Sequence, residues 1–210
     1  MERAVFLDRD GVIIEDVGYL NECGRIKFLP RASEAIKLLN ENGFKVIVVT
    51  NQSGVARGYF TEETVKEINR NICESLAKQG AFIDKIYYCP HHVDGTVSEY
   101  VKDCHCRKPS PGMIEEATRE FGIDVESSFV VGDKICDIEA GHRVGCKTIL
   151  LVGDSFLDKQ REIAPLTDYI ARDLYEAVKW LLKLSGHENA RTLSPEANRS
   201  RNCSLRLDHD

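Results

Sequence analysis

Long apolar runs are missing from this 210-residue chain. The longest, such as Val46–Val49, are far too short to cross a bilayer, so no membrane role is expected. A signal-like start is missing too: Met1-Glu2-Arg3 leads straight into a strand-like run, with no apolar core or cleavage site. The chain is therefore expected to stay in the cytosol. Positive charge is in short supply, 28 Lys and Arg against 34 Asp and Glu, giving a net charge of −6. That balance argues against a nucleic-acid partner, because binding a phosphate backbone needs clustered positive charge. It leaves open a small anion gathered by one pocket. No internal repeat is apparent.

Apolar residues are plentiful, at 42% with 30% charged, enough for a sizeable core. One domain is expected over residues 1–184, acting as a monomer. Residues 185–210 are polar, nearly aperiodic and free of aromatics, and read as a disordered tail. The chain holds eight cysteines, which in a reducing compartment point to metal ligands or free thiols rather than disulfides.

Strand and helix signals alternate. Apolar runs at 4–7, 44–49, 83–88, 129–131 and 147–152 read as buried strands. Helices are expected after Pro30 up to Gly43, from a Thr61 cap to Gly80, from a Ser110-Pro111 cap to Phe121, over 135–143, weakly after 152, and over 174–184. This rhythm predicts an α/β fold, a doubly wound parallel sheet with helices on both faces and right-handed crossovers. Working residues in such sheets gather at the carboxyl ends of the strands, where Asp8, Thr50 and Asp133 fall.

Asp8-Arg9-Asp10-Gly11 places two carboxylates close together just past a strand, which is costly without a cation. Magnesium favours carboxylate and carbonyl oxygens, so Asp8, the Asp10 carbonyl and Asp133 are its expected ligands. The Asp10 side chain is then left for proton transfer. Thr50 and Lys108 can hold the oxygens of a transferring phosphoryl group, and Gly11 would let backbone amides come close. A second cluster lies in the aperiodic loop 89–106. Cys89-Pro90-His91 and Cys104-His105-Cys106 can wrap one zinc, which four protein ligands would saturate and make structural. Spacing alone does not choose between His91 and His92. Of the remaining cysteines, Cys23, Cys73, Cys136 and Cys146 read as core or surface thiols. Asp137 orients Lys134 or a metal-bound water, or merely occupies a first helical turn where acids are favoured.

Asp8-Arg9-Asp10-Gly11, Val49-Thr50-Asn51-Gln52, Arg107-Lys108-Pro109 and Val131-Gly132-Asp133-Lys134 resemble, in order, the four motifs of the haloacid dehalogenase superfamily phosphatases. The resemblance implies a Rossmann-like fold with a minimal cap and an inserted zinc loop. It implies that Asp8 is a nucleophile, Asp10 a general acid and base, and Thr50 and Lys108 stabilisers of the transferring group. Within the superfamily the zinc loop is similar to those of the heptose 1,7-bisphosphate and histidinol-phosphate phosphatases, and selects His91. The heptose branch fits better, through Asp16-Val17-Gly18-Tyr19, Thr50 to Gly54 and Cys106 to Met113. It implies a small phosphorylated sugar as substrate, removal of its 7-phosphate, and a role in surface-polysaccharide heptose supply. Asp16, Val17, Gly18, Tyr19, Asn51, Gln52, Ser53, Arg107 and Lys134 would contact that substrate, with Arg107 on the second phosphate. The competing expectations are a histidinol-phosphate phosphatase and a zinc-stabilised binding module without catalysis.

Overall fold

The computed structural model describes residues 1–153 and 167–186. In chain order the elements are β1 (Ala4–Leu7), α1 (Ala32–Glu41), β2 (Lys45–Asn51), α2 (Glu62–Ala77), β3 (Lys85–Cys89), α3 (Gly112–Phe121), β4 (Phe129–Gly132), α4 (Ile135–Val144), β5 (Lys147–Leu151), β6 (Tyr169–Ala171) and α5 (Leu174–Leu184). The six strands form one sheet in the order β3-β2-β1-β4-β5-β6, and every neighbouring pair is parallel. Strand order therefore reverses between β1 and β4, and a crevice opens at their carboxyl ends.

Alternation along the strands serves two cores. Val5 and Leu7 of β1, with Val46 and Val48 of β2, pack under α1, α2 and α5. Ala4, Phe6, Ile47 and Val49 point to the other face, beneath Met113, Ile114 and Ala117 of α3 and Ala140 of α4. Two of the helices, α2 and α5, are tied at their starts by side chains: Thr61 accepts from the Thr64 amide, and Asp173 from that of Glu176. Among the described residues no helix is long and apolar enough to cross a membrane.

The structure departs from the sequence expectation in three places. Tyr169–Ala171 forms a sixth strand, too short to give a periodic signal. α3 begins without a side-chain cap, its N-cap being Pro111 rather than a capping Ser110. β3 starts two residues later than expected, at Lys85, because Asp84 instead receives the Val46 amide and the Lys45 ammonium through its carboxylate. The weak helix expected after 152 lies largely outside the described residues, as does the tail beyond 186.

Ser128 sets the register where it matters. Its buried hydroxyl accepts from the Ala4 amide at 3.0 Å and donates to the Asp124 carbonyl at 2.6 Å. It thus pins the start of β1 beside the start of β4. Ser128→Ala leaves a buried N–H without an acceptor and should cost about 1–3 kcal/mol. A urea titration checks this, and an unchanged midpoint would refute the role.

Candidate functional site

At the switch point Asp8 follows β1 directly, its amide bound to the Val131 carbonyl at 3.0 Å, and Asp133 follows β4. Between them comes Lys108, from the loop before α3 and only 3% exposed. Its ammonium lies 2.8 Å from Asp8 Oδ1, 2.5 Å from Asp137 Oδ1 and 2.6 Å from the Val49 carbonyl. Burial works against this charge, but Asp137 and Asp8 outweigh it and hold the Lys108 pKa above the ordinary lysine value.

Asp8, Asp133 and Asp137 each present a carboxylate oxygen, and these oxygens all lie within 4.8 Å of one another. Burial, opposed by Lys134 and reinforced by Asp8 and Asp137, pushes the Asp133 carboxyl up to about 7. Its buried Oδ1 has no hydrogen-bond partner. Three clustered carboxylates, two of them on the Lys108 ammonium and the third with an orphaned oxygen, fit a hard divalent cation such as magnesium. Asp137, left without a firm role by the sequence, is fully engaged: Oδ1 takes Lys108 and Oδ2 the Lys134 amide at the start of α4. The Asp10 carboxylate stands outside this cluster.

Two glycines make room for these acids. A Cβ on Gly11 would meet the Asp133 carboxylate, and one on Gly132 would collide with Asp137. Gly11 also sits at φ 83°, a conformation that side chains resist. Its amide donates to the Ile14 carbonyl at 2.8 Å and is not offered to a phosphate. This glycine also accommodates the Asp133 carboxylate.

Sequence reasoning missed Arg9. It is 1% exposed, with both Nε and Nη2 donating to Asp10 at 3.2 Å and Nη1 donating to Asn69 Oδ1 at 3.0 Å. Gln52 Nε2 adds a bond of 2.9 Å to Asp10 Oδ2 and one of 3.0 Å to Thr50 Oγ1. Burial, against the charge of Arg9, raises the Asp10 pKa, which suits a group that must carry a proton. An arginine flanked by two aspartates was the available signal, but its partner Asn69 lies 60 residues away.

A pocket of about 330 Å³ opens above Asp8. Asp16, Gly18, Tyr19, Thr50, Asn51, Gln52, Ser53, Arg107 and Lys134 line it with Asp8, Asp10, Lys108 and Asp137. Val17, also expected among the substrate contacts, is a partly buried side chain that packs against the main core. Asn51 exchanges two hydrogen bonds with the Lys108 backbone, at 3.0 and 3.1 Å, so its amide positions the lysine. Asp16 bridges to Lys134 at 2.8 Å and receives the Gly18 amide at 2.9 Å. Tyr19 and Tyr59, both exposed, meet edge to face with ring centroids 4.6 Å apart. Cys136, read from sequence as a plain thiol, also lines the pocket. Burial first, then Asp137, pushes its thiol up to about 11, so it stays protonated.

The second cluster converges as well. Cys104 Sγ lies 2.8 Å from Cys106 Sγ and 3.4 Å from Cys89 Sγ, and His91 Nδ1 is 3.2 and 3.3 Å from the sulfurs of Cys104 and Cys106. Cys89, Cys104 and Cys106 form no disulfide, and a three-thiol, one-imidazole donor set fits zinc. His105 turns outward to Glu115, at 2.7 Å.

A haloacid dehalogenase-like hydrolase family model matches residues 5–81, and a second, HAD-hydrolase-like model matches 105–177. The chain is 42% identical over 182 residues to a D-glycero-β-D-manno-heptose-1,7-bisphosphate 7-phosphatase of Photorhabdus laumondii, covering 86% of this chain and 97% of that one. It is 43% identical over 150 residues to the α-heptose counterpart from the same organism, covering 71% and 82%. The crystal structure of the D,D-heptose 1,7-bisphosphate phosphatase from B. bronchiseptica, complexed with magnesium and phosphate, superposes with a TM-score of 0.75 at 31% identity, covering 87% and 99%.

Gly11→Ala should displace the Asp133 carboxylate and weaken magnesium binding by about tenfold or more, as disturbance next to a metal ligand commonly does. Calorimetric titration with magnesium measures this; unaltered affinity would show that Asp133 does not need the space.

Proposed function

This chain belongs to the haloacid dehalogenase-like hydrolases and is a phosphatase, and from that premise we propose that it removes the 7-phosphate of D-glycero-D-manno-heptose 1,7-bisphosphate. The observation that carries the reading is a set of cations in one small pocket, of which Lys134 is bridged to Asp16. Lys108 sits against Asp8 at its floor, while the Arg107 guanidinium lines it separately. One cation serves the phosphate to be cleaved and the other a phosphate that stays. The heptose bisphosphate relatives support the choice of sugar.

In this reading Asp8 attacks phosphorus in line, the bond from phosphorus to the sugar oxygen breaks, and an aspartyl phosphate forms. Asp10 gives its proton to the departing alkoxide. Arg9 and Gln52 hold it in place, and its raised pKa favours the proton-carrying form. Asp10 then takes a proton from water, which attacks phosphorus and frees Asp8 together with inorganic phosphate. Lys108 and Thr50 hold the transferring oxygens. Asp8 and Asp133, with Asp137 beside them, would hold magnesium, which supplies charge neutralisation between nucleophile and phosphate. Asp16, Gly18, Tyr19 and Ser53 line the sugar side.

Cys89, His91, Cys104 and Cys106 are read as the ligands of a structural zinc. The loop they close leads directly into Arg107 and Lys108, so ordering it orders both cations.

Initial rates on both heptose 1,7-bisphosphate anomers, fructose 1,6-bisphosphate and histidinol phosphate, with and without magnesium, test the substrate. A preference for histidinol phosphate would overturn it. Asp8→Asn should abolish turnover and leave the circular dichroism spectrum intact; near-normal rates would exclude the covalent route. Cys104→Ser should empty the zinc site by elemental analysis and lower Tm by roughly 10 °C, equivalent to ~3 kcal/mol in a chain of this size. Unchanged metal content removes the zinc assignment.

A further inference from the structure

One polar side chain sits where the pattern of α2 calls for an aliphatic one. The buried face of that helix carries Val65, Ile68, Ile72, Cys73 and Leu76, and Asn69 lies among them, fully buried. Its Oδ1 accepts from Arg9 Nη1 at 3.0 Å. Its Nδ2 is buried with no hydrogen-bond partner among the described residues. An unsatisfied amide is costly in a core that a leucine would fill, so packing alone does not account for this residue. What the side chain supplies is one oxygen, and that oxygen goes to Arg9.

Arg9 is engaged on its other side by the acid. Nε donates to Asp10 Oδ2 and Nη2 to Asp10 Oδ1, at 3.2 Å each, so the planar guanidinium faces the carboxylate as a fork. A fork fixes the plane of its partner only when its own plane is fixed. The contact at Nη1 does this, because the three nitrogens of a guanidinium turn as one rigid group. Among the described residues Asp10 is the one carboxylate paired with Arg9, so no second acid draws the fork away.

The carboxylate is held from a second direction as well. Gln52 Nε2 donates to Asp10 Oδ2 at 2.9 Å and to Thr50 Oγ1 at 3.0 Å. One support therefore comes from the end of β2 and the other from the middle of α2. Asp10 lines the pocket together with Asp8, whereas neither Arg9 nor Asn69 does. Both act from behind it.

We propose that Asn69 is a positioning residue for the cleavage step: by fixing the plane of the Arg9 guanidinium it sets the direction of the Asp10 carboxyl. It thereby governs how well a proton passes from Asp10 to the sugar oxygen as the bond from that oxygen to phosphorus breaks. This rests on the reading that Asp10 is the general acid, and extends it to a helix that contributes no residue to the pocket. A misplacement of about 1 Å at such a group can cost on the order of a hundredfold in rate.

The leaving group supplies the readout. A sugar alkoxide needs a proton to depart, whereas p-nitrophenolate leaves with little help, so a misplaced acid slows the first and spares the second. Wild type, Asn69→Leu, Asn69→Asp and Asp10→Asn are compared on heptose 1,7-bisphosphate and p-nitrophenyl phosphate. The quantity compared is kcat/KM, which covers every step up to departure of the leaving group. Both substrates are read on one preparation, so any loss of folded protein scales the two alike. Asn69→Leu should lower kcat/KM for the sugar ester about tenfold more than for the aryl ester, through kcat rather than KM. Asn69→Asp keeps an acceptor oxygen on a side chain of the same shape and should retain most of the wild-type ratio. An unchanged ratio after Asn69→Leu, with Asp10→Asn still selective, overturns the role of Asn69, as does a ratio for Asn69→Asp no better than that for Asn69→Leu. Equal losses on the two esters after Asp10→Asn overturn the underlying reading of Asp10 as the acid.

Discussion

One buried ammonium holds the centre together. Lys108 has almost no contact with water, and an unpaired charge there would be strongly destabilising. Asp8, Asp137 and the Val49 carbonyl surround it, each from a different element: the end of β1, the first turn of α4 and the body of β2. Removing any one carboxylate strands charge in a dry place. The lysine therefore fixes the relative position of three elements as firmly as the apolar cores do, and it does so at the point where chemistry occurs.

The sheet makes that meeting possible. Parallel strands deliver every carboxyl end to one edge, and the reversal of order between β1 and β4 opens the edge into a crevice. Space is then created by omission: Gly11 and Gly132 lack the atoms that would displace Asp133 and Asp137. Asp8, Asp133 and Asp137 gather where a cation can balance them, and Arg107 lines the same pocket.

Much of this was legible in the sequence because it is local. Apolar runs ending in Asp8, Thr50 and Asp133 mark strand ends within a few residues, and Cys-x-His and Cys-x-Cys pairs announce their own convergence. What escaped detection is set by distant partners. The burial of Arg9 carries no local signal, because its partner Asn69 lies 60 residues away. Asp137 reads as a helix-start acid until Lys108 arrives at its free oxygen. Val17 sits inside a substrate-like stretch, and its side chain packs against the core. β6 has three residues, and no periodicity can be seen in so few.

The exposed pair Tyr19 and Tyr59, and the bridge from Asp16 to Lys134, lie at the wet lip of the pocket, whereas Asp8, Thr50 and Lys108 lie at its dry floor. Substitutions at the lip disturb water-exposed contacts of small energy; substitutions at the floor strand buried charge. Sugar choice and bond cleavage are therefore separately mutable, and descent with modification can retune the first while leaving the second untouched.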